Sequence, residues 1–245
     1  MTMSTRRATT FVLAMLLVAG AVAFTDGGSA SAEAFHNSAI KVNTPLRTCT
    51  NTSDASCNGW KTLTAGTTVA MRCWYKQGPA TDPKNYGTDM FFWVDSPDGQ
   101  GFVSANHVKN QWLSSPYCGD KPNVRAVRWA GAWRTQTDYQ LQCLKFVADA
   151  WRSVGKTICS WCNSSTTAYQ YWLNPRAGTK TATTTNFNPP VGAAVFWNTA
   201  VGSAGHVAIS IGDGYVISTR FGGRNDIRVF NLKSYTKGYV GWIQY

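Results

Sequence analysis

Gly205-His-Val-Ala-Ile-Ser-Ile-Gly-Asp-Gly-Tyr-Val-Ile217 is the stretch on which the reading of this chain turns. Apolar and β-branched residues fill His206 to Ile211 and again Tyr215 to Ser218, so the segment reads as two strands around a glycine-flanked turn. The histidine opens the first strand directly after the small-residue loop Val201-Gly-Ser-Ala-Gly205, a position from which an imidazole can point into a cleft. Ala193 to Trp197, Ile227 to Phe230 and Tyr239 to Ile243 read as further strands. Upstream the period changes. Leu144, Val147, Trp151 and Val154 fall at i, i+3, i+7 and i+10, one apolar stripe of a helix, and Gly155 is its stop signal. Another helical stretch is expected near Arg125 to Trp133, with Thr135 to Gln140 breaking the pattern. Helices first and strands after is an α+β layout.

Residues 36 to 118 carry no helical period. Thr67 to Tyr75 and Met90 to Val94 are rich in β-branched and aromatic residues, the second running into the turn Asp95-Ser-Pro-Asp-Gly99 before Gly101 to Ser104 restarts a strand. Gly66 and Gly87 punctuate the loops, and a small all-β barrel is the expected outcome. Gly119-Asp-Lys-Pro-Asn-Val-Arg125 reads as a linker, which divides the chain into 33–118, 119–125 and 126–245.

Residues 1–32 have the pattern of a secretory leader. Arg6 and Arg7 precede an apolar run from Phe11 to Phe24, and Ala30-Ser-Ala32 supplies a cleavage site. The run is shorter than the roughly 20 residues that span a bilayer, so no membrane association is expected once the leader is removed. Cleavage leaves 213 of the 245 residues and, because the leader holds two Arg and one Asp, moves the net charge from +11 to +10. A basic exported protein suits an anionic polymer such as a cell wall, though charge alone would equally suit nucleic acid or lipid head groups. The acidic residues are eleven Asp and one Glu, Glu33. Sugar-cleaving enzymes usually pair a protonated carboxyl, most often Glu, with a second carboxylate, so that chemistry is disfavoured.

Seven cysteines in an exported chain leave one thiol over. Spacing does not fix connectivity, but Cys49 with Cys57, Cys159 with Cys162, and Cys73 with Cys118 are suggestive pairs, and they leave Cys143. The Cys159-Ser-Trp-Cys162 spacing also admits zinc or redox readings. No second such pair follows for zinc, and the motif comes after a helix instead of opening one, so a structural disulfide is favoured.

Cys143 falls at the first turn of its helix, where unpaired N–H groups and the helix dipole favour a thiolate and supply an oxyanion donor. An adjacent imidazole is the usual activator of such a thiol. Of three histidines, His36 lies at the mature end and His107 in the other half, which leaves His206.

Three segments carry a family resemblance. Gln142-Cys-Leu-Lys-Phe-Val147 resembles the nucleophile helix of NlpC-type papain-like wall peptidases, and Pro190-Val-Gly-Ala-Ala-Val-Phe-Trp197 resembles their Pro-x-Gly-Asp-Leu-Val-Phe-Trp strand. Gly205 to Ile217 is similar to their Gly-His-Val-Gly-Ile hairpin. CHAP amidases share the order of Cys and His but match this hairpin less closely. In the first half, Leu63 to Cys73 and Trp93 to Ser104 resemble bacterial SH3-like domains attached to wall-degrading enzymes, which often bind wall peptides.

The resemblance implies an all-β SH3-like barrel followed by an α+β papain-like domain. It implies Cys143 as nucleophile, His206 as base, Ser218 at the place of the third polar residue, and Tyr139 as a site wall or oxyanion donor. Two departures stand out: the family's strand Asp is Ala193, and its third residue, usually His, Glu, Asn or Gln, is the uncharged Ser218, for which Asp226 is a substitute. The function so implied is hydrolysis of amide bonds in peptidoglycan stem peptides, with the wall polymer as partner, no nucleic acid, and neither cofactor nor metal. A weak or inactive wall-binding protein, a CHAP-type amidase and an antibacterial toxin are the alternatives. Oligomeric state is left open.

Overall fold

In the computed structural model, which describes residues 36–52, 55–76, 88–111, 117–219 and 225–245, the first half is built from short strands. The expected leader and Gly87 lie outside the described residues. Strands β1 (His36–Ala39), β4 (Thr68–Lys76), β5 (Met90–Ser96) and β6 (Gly99–Ser104) form an antiparallel sheet in the order β1-β4-β5-β6, while β2 (Thr44–Leu46) and β3 (Lys61–Leu63) pair separately. The expected closed barrel is not formed among the described residues. β1 and β6 end the continuous ladder; past them, Ile40 bridges Val108 and Lys109 N donates to Ala39 O, and the β2–β3 ribbon meets β6 at the backbone pair Arg47 and Phe102. Pro45 inside β2 lacks the N–H that a longer ladder would need.

Alternation decides what each face of this sheet meets. Phe92, Val94 and Val103 turn into a small core of their own with Ile40, Leu46 and Leu63. Phe91, Trp93 and Phe102 turn the other way, into a core shared with the second half. The Cys73–Cys118 disulfide ties β4 to the segment that enters the first helix. Closing a loop of that size contributes roughly 4 kcal/mol in the chain-entropy account.

Helices α1 (Pro122–Ala132), α2 (Cys143–Arg152) and α3 (Ala168–Leu173) come next. The stretch expected as a linker is thus helical from residue 122. Proline's fixed φ and missing N–H suit a first helical position, so Pro122 starts α1 and does not break it. α1 docks closely: a Cβ on Gly131 would lie 2.5 Å from the Thr48 carbonyl oxygen. Arg134 Nε donates to Ser56 O at 3.0 Å, and its guanidinium also reaches Asn58 O. α2 buries Leu144, Val147 and Trp151 as its stripe requires, together with Phe146. Gly155, at φ +83°, ends it by letting Lys156 N return to Trp151 O. The six-residue α3 was not foreseen, although Thr167 and Gln170 form a capping box at its start.

The closing sheet is antiparallel in the order β11-β10-β9-β8-β12-β7. Its strands are β7 (Thr179–Ala182), β8 (Ala194–Trp197), β9 (His206–Gly212), β10 (Tyr215–Ser218), β11 (Arg228–Asn231) and β12 (Tyr239–Gln244). β7 was missed because its Thr-Lys-Thr-Ala sequence has no buried face, and pairing with β12 makes it a strand. β8 and β9 are buried on both faces. Phe196, Val207 and Ile209 join the shared core beneath the helices, while Val195, Trp197 and Ala208 pack on the opposite side with Val216 and Tyr239. The described residues all belong to one compact unit.

Candidate active site

Local chemistry places the histidine first. Gly205 has φ +66°, and a Cβ there would lie 2.6 Å from Trp197 O, so only glycine lets the chain turn so tightly into β9. His206 then pairs across the ladder with Trp197, whose ring centroid is 5.7 Å from the imidazole. The imidazole is buried.

Ser218, the last residue of β10, holds the ring. His206 Nε2 and Ser218 Oγ are 2.8 Å apart, and Ser218 Oγ donates to Val207 O at 2.8 Å. A hydroxyl has one proton, and a carbonyl can only accept. The Ser218 proton therefore goes to Val207 O, and its lone pair receives Nε2–H from the imidazole. The neutral ring carries its proton on Nε2 and leaves Nδ1 unprotonated, an assignment that rests on the hydrogen-bond network. Asp226, the substitute third group, has its carboxylate paired with Arg228 Nε at 2.6 Å and does not reach His206.

Cys143 opens α2 and is the one free cysteine; the others form Cys49–Cys57, Cys73–Cys118 and Cys159–Cys162, the pairs that spacing suggested. The backbone N–H of Val207, the residue after His206, points at its sulfur, as do those of Leu144 and Cys143. The thiol thus lies at the head of β9. These donors favour the thiolate, yet the protein packed around the sulfur outweighs them and pushes the thiol up. Desolvation thus opposes the thiolate expected at this helix terminus and outweighs the three N–H donors. Burial also pushes His206 down to about 3. At neutral pH the pair is thiol and neutral imidazole.

The remaining expected residues fall elsewhere. Tyr139 donates its hydroxyl to Asp149 Oδ2 at 3.0 Å, and its ring packs edge-on against Trp133 and Phe146 with Lys145 above it. Burial and the Asp149 carboxylate push its phenol up to about 12. Through Lys145, Phe146 and Asp149, Tyr139 braces a flank of α2 about a third of a turn from Cys143. Ala193 is buried in the core behind β8, which explains why an apolar residue stands there. His107 is a structural residue: its Nδ1 lies 2.6 Å from Thr44 Oγ1, and burial lowers it, with Arg47 and Lys41 adding to the effect. Sequence reasoning missed the parts played by Trp197 and by the Val207 amide, since cross-strand register and a backbone N–H leave no composition signal.

No curated protein is significantly similar to the chain. Several solved structures are faintly similar, three of them as follows. NlpC2 from Trichomonas vaginalis is 12% identical, with 86% of this chain and 72% of that one covered and a TM-score of 0.36. An NlpC/p60 family protein from Bacillus cereus is 18% identical, with 85% and 63% covered and a TM-score of 0.38. The NlpC/p60 domain of the peptidoglycan hydrolase SagA is 20% identical, with 49% and 97% covered and a TM-score of 0.35. At those scores the likeness carries no argument. The family match falls on the group whose hairpin had looked the less similar of the two: residues 132–219, which hold Cys143, His206 and Ser218 together, match the CHAP domain.

Proposed function

We propose that the chain is a secreted cysteine hydrolase that cuts amide bonds in the peptide part of peptidoglycan. One observation carries this reading: the single free thiol, Cys143, receives the backbone N–H of Val207, the residue next to a His206 whose Nε2–H is engaged by Ser218. The CHAP match over the same residues supports it. The papain-like description of this half, its export and its action at the wall belong to the same proposal.

The chemistry follows from the protonation states. His206 Nδ1 takes the thiol proton as sulfur attacks the amide carbonyl carbon. Backbone N–H groups at the start of α2 serve as the donors to the resulting oxyanion. The imidazolium returns its proton to the leaving amine nitrogen, and an acyl-enzyme remains. Water, deprotonated by the same Nδ1, then releases the acid and restores the thiol. Ser218 is a positioning residue that holds the ring and its tautomer without adding charge.

The missing carboxylate favours a second reading, a wall-binding protein with weak or no turnover. Mass spectrometry of fragments released from purified peptidoglycan separates the two. New amine and carboxyl termini, absent with Cys143→Ala, support hydrolysis and identify the bond. Retention on the wall with no new termini supports binding alone.

A further inference from the structure

A second concave surface lies at the far end of β9. Six residues separate His206 from Gly212, which at about 3.3 Å each puts the two ends roughly 20 Å apart. There, the loop before β8, the β9–β10 turn and the end of β11 enclose a cleft of about 470 Å³.

Its walls are fixed by their own hydrogen bonds. Asn186 Oδ1 accepts from Asn188 N at 3.0 Å, and Asn231 Oδ1 accepts from Lys233 N at 2.9 Å. Leu232 N donates to Gly214 O at 2.7 Å, and Tyr239 OH donates to Asn186 O at 2.8 Å. Phe187 is pinned beside Tyr239, with ring centroids 5.3 Å apart. The cleft is preformed, which lowers the entropy lost when a ligand binds.

The same bonds set its chemistry. Asn186 and Asn231 have their acceptor oxygens engaged by the backbone, so each presents –NH₂ donors. The Asn188 amide and the Lys233 ammonium add donors, and neither side chain has a protein partner among the described residues. Asp213 is the one carboxyl in the lining. It turns toward Asp95 and Gln100 in the first half, and its Oδ2 is sealed from solvent without a hydrogen bond. Donors and a cation therefore dominate the open surface, in a chain whose net charge is +11.

We propose that this cleft is an accessory binding site for an oxygen-rich anionic group of the cell wall, a carboxylate or a phosphodiester, held about 20 Å from the reacting thiol. The site rests on the wall-hydrolase reading for its ligand. It would keep the enzyme on the polymer while Cys143 samples nearby amides.

The test is co-sedimentation of the thiol-alkylated full chain with insoluble walls of three kinds: untreated, stripped of phosphodiester polymer by hydrofluoric acid, and carboxyl-amidated. Asn188→Ala with Lys233→Gln is expected to weaken binding to untreated walls about tenfold, the effect of two lost contacts to a charged group. Lys237→Gln, the same charge change outside the cleft, should alter it less than twofold. Loss on the acid-stripped wall assigns the phosphodiester; loss on the amidated wall assigns the carboxylate. Wild-type binding by the double variant, an equal effect of Lys237→Gln, or no wall binding at all overturns the site. Turnover of a short soluble stem peptide by the unalkylated double variant should equal wild type, so loss of hydrolysis and loss of the site are read separately.

Discussion

Each half of the molecule holds one buried histidine bonded to a hydroxyl, and the pairs are nearly matched in geometry. His107 meets Thr44 Oγ1 at 2.6 Å in the first half, and His206 meets Ser218 Oγ at 2.8 Å in the second. Burial depresses both imidazoles. The difference lies in what else each site holds. His107 has cationic neighbours, Arg47 and Lys41, and serves to pack the β2 region. The His206 strand has Cys143 at its head, so under the proposed function a similar hydroxyl bond acquires a chemical use. A buried, tethered histidine is therefore a common structural solution; a thiol beside it makes it a candidate base.

The largest effect expected from this comparison is on turnover. His206→Ala and Cys143→Ala should each lower release of peptides from purified peptidoglycan by 10³-fold or more, since nucleophile and base act as a unit. His107→Ala should stay within about threefold of wild type per folded molecule, while losing on the order of 1–2 kcal/mol in urea unfolding through its lost hydrogen bond and packing. A turnover collapse in His107→Ala, with folding intact, breaks the comparison.

Next in size is acid stability. His206 takes up its proton at its ordinary 6.5 when unfolded but at about 3 when folded. Its contribution is complete above pH 6.5 and is lost as pH falls toward 3, a change of roughly 5 kcal/mol at 1.36 kcal/mol per unit. Denaturant titrations across that window should show the fall in wild type and much less of it in His206→Gln.

Ser218→Ala sharpens the comparison further. Removing the acceptor of Nε2–H frees the ring to place its proton on Nδ1, which disables the base. Turnover should drop about ten- to hundredfold, and ¹⁵N spectra of the imidazole should shift toward the Nδ1–H tautomer. An unchanged tautomer with lost activity would assign Ser218 a different role.

The smallest effect concerns the seam between halves. Burial first, then the hydrogen bond and charge of Asp95, push Asp213 up to about 7 from its ordinary 3.8, with Gln100 and Arg72 opposing. A raised carboxyl contributes most below pH 3.8 and loses that contribution as pH rises toward 7, opposite in sign to His206. In Asp213→Asn the decline over that window should flatten, by less than the His206 effect because Asp213 is only half-buried.

Legibility in the sequence followed how local each signal was. The stripe of α2 and the strands around β8, β9 and β10 rest on periodicity and appear within a residue or two of expectation. The linker was misread because Pro122 carries the same letter in a loop and at a helix start. The SH3-like barrel is not shown among the described residues, for a different reason: closure depends on which distant segments meet, and no continuous ladder joins β1 to β6. The contacts of Tyr139 with Asp149 and Phe146 could not be read from its distance along the chain, because they depend on which face of α2 it meets.

Residue identity and order were enough to single out one unpaired sulfur, one histidine at a strand start and the helix and hairpin that carry them, because odd counts and periodicities are properties of a chain read in line. Protonation states, the hydrogen bond of His206 to Ser218 and the joining of the halves through one core came from packing. Desolvation, the path of a single hydroxyl proton and the fit of Phe91 and Trp93 against the helices depend on which atoms meet across long stretches of sequence.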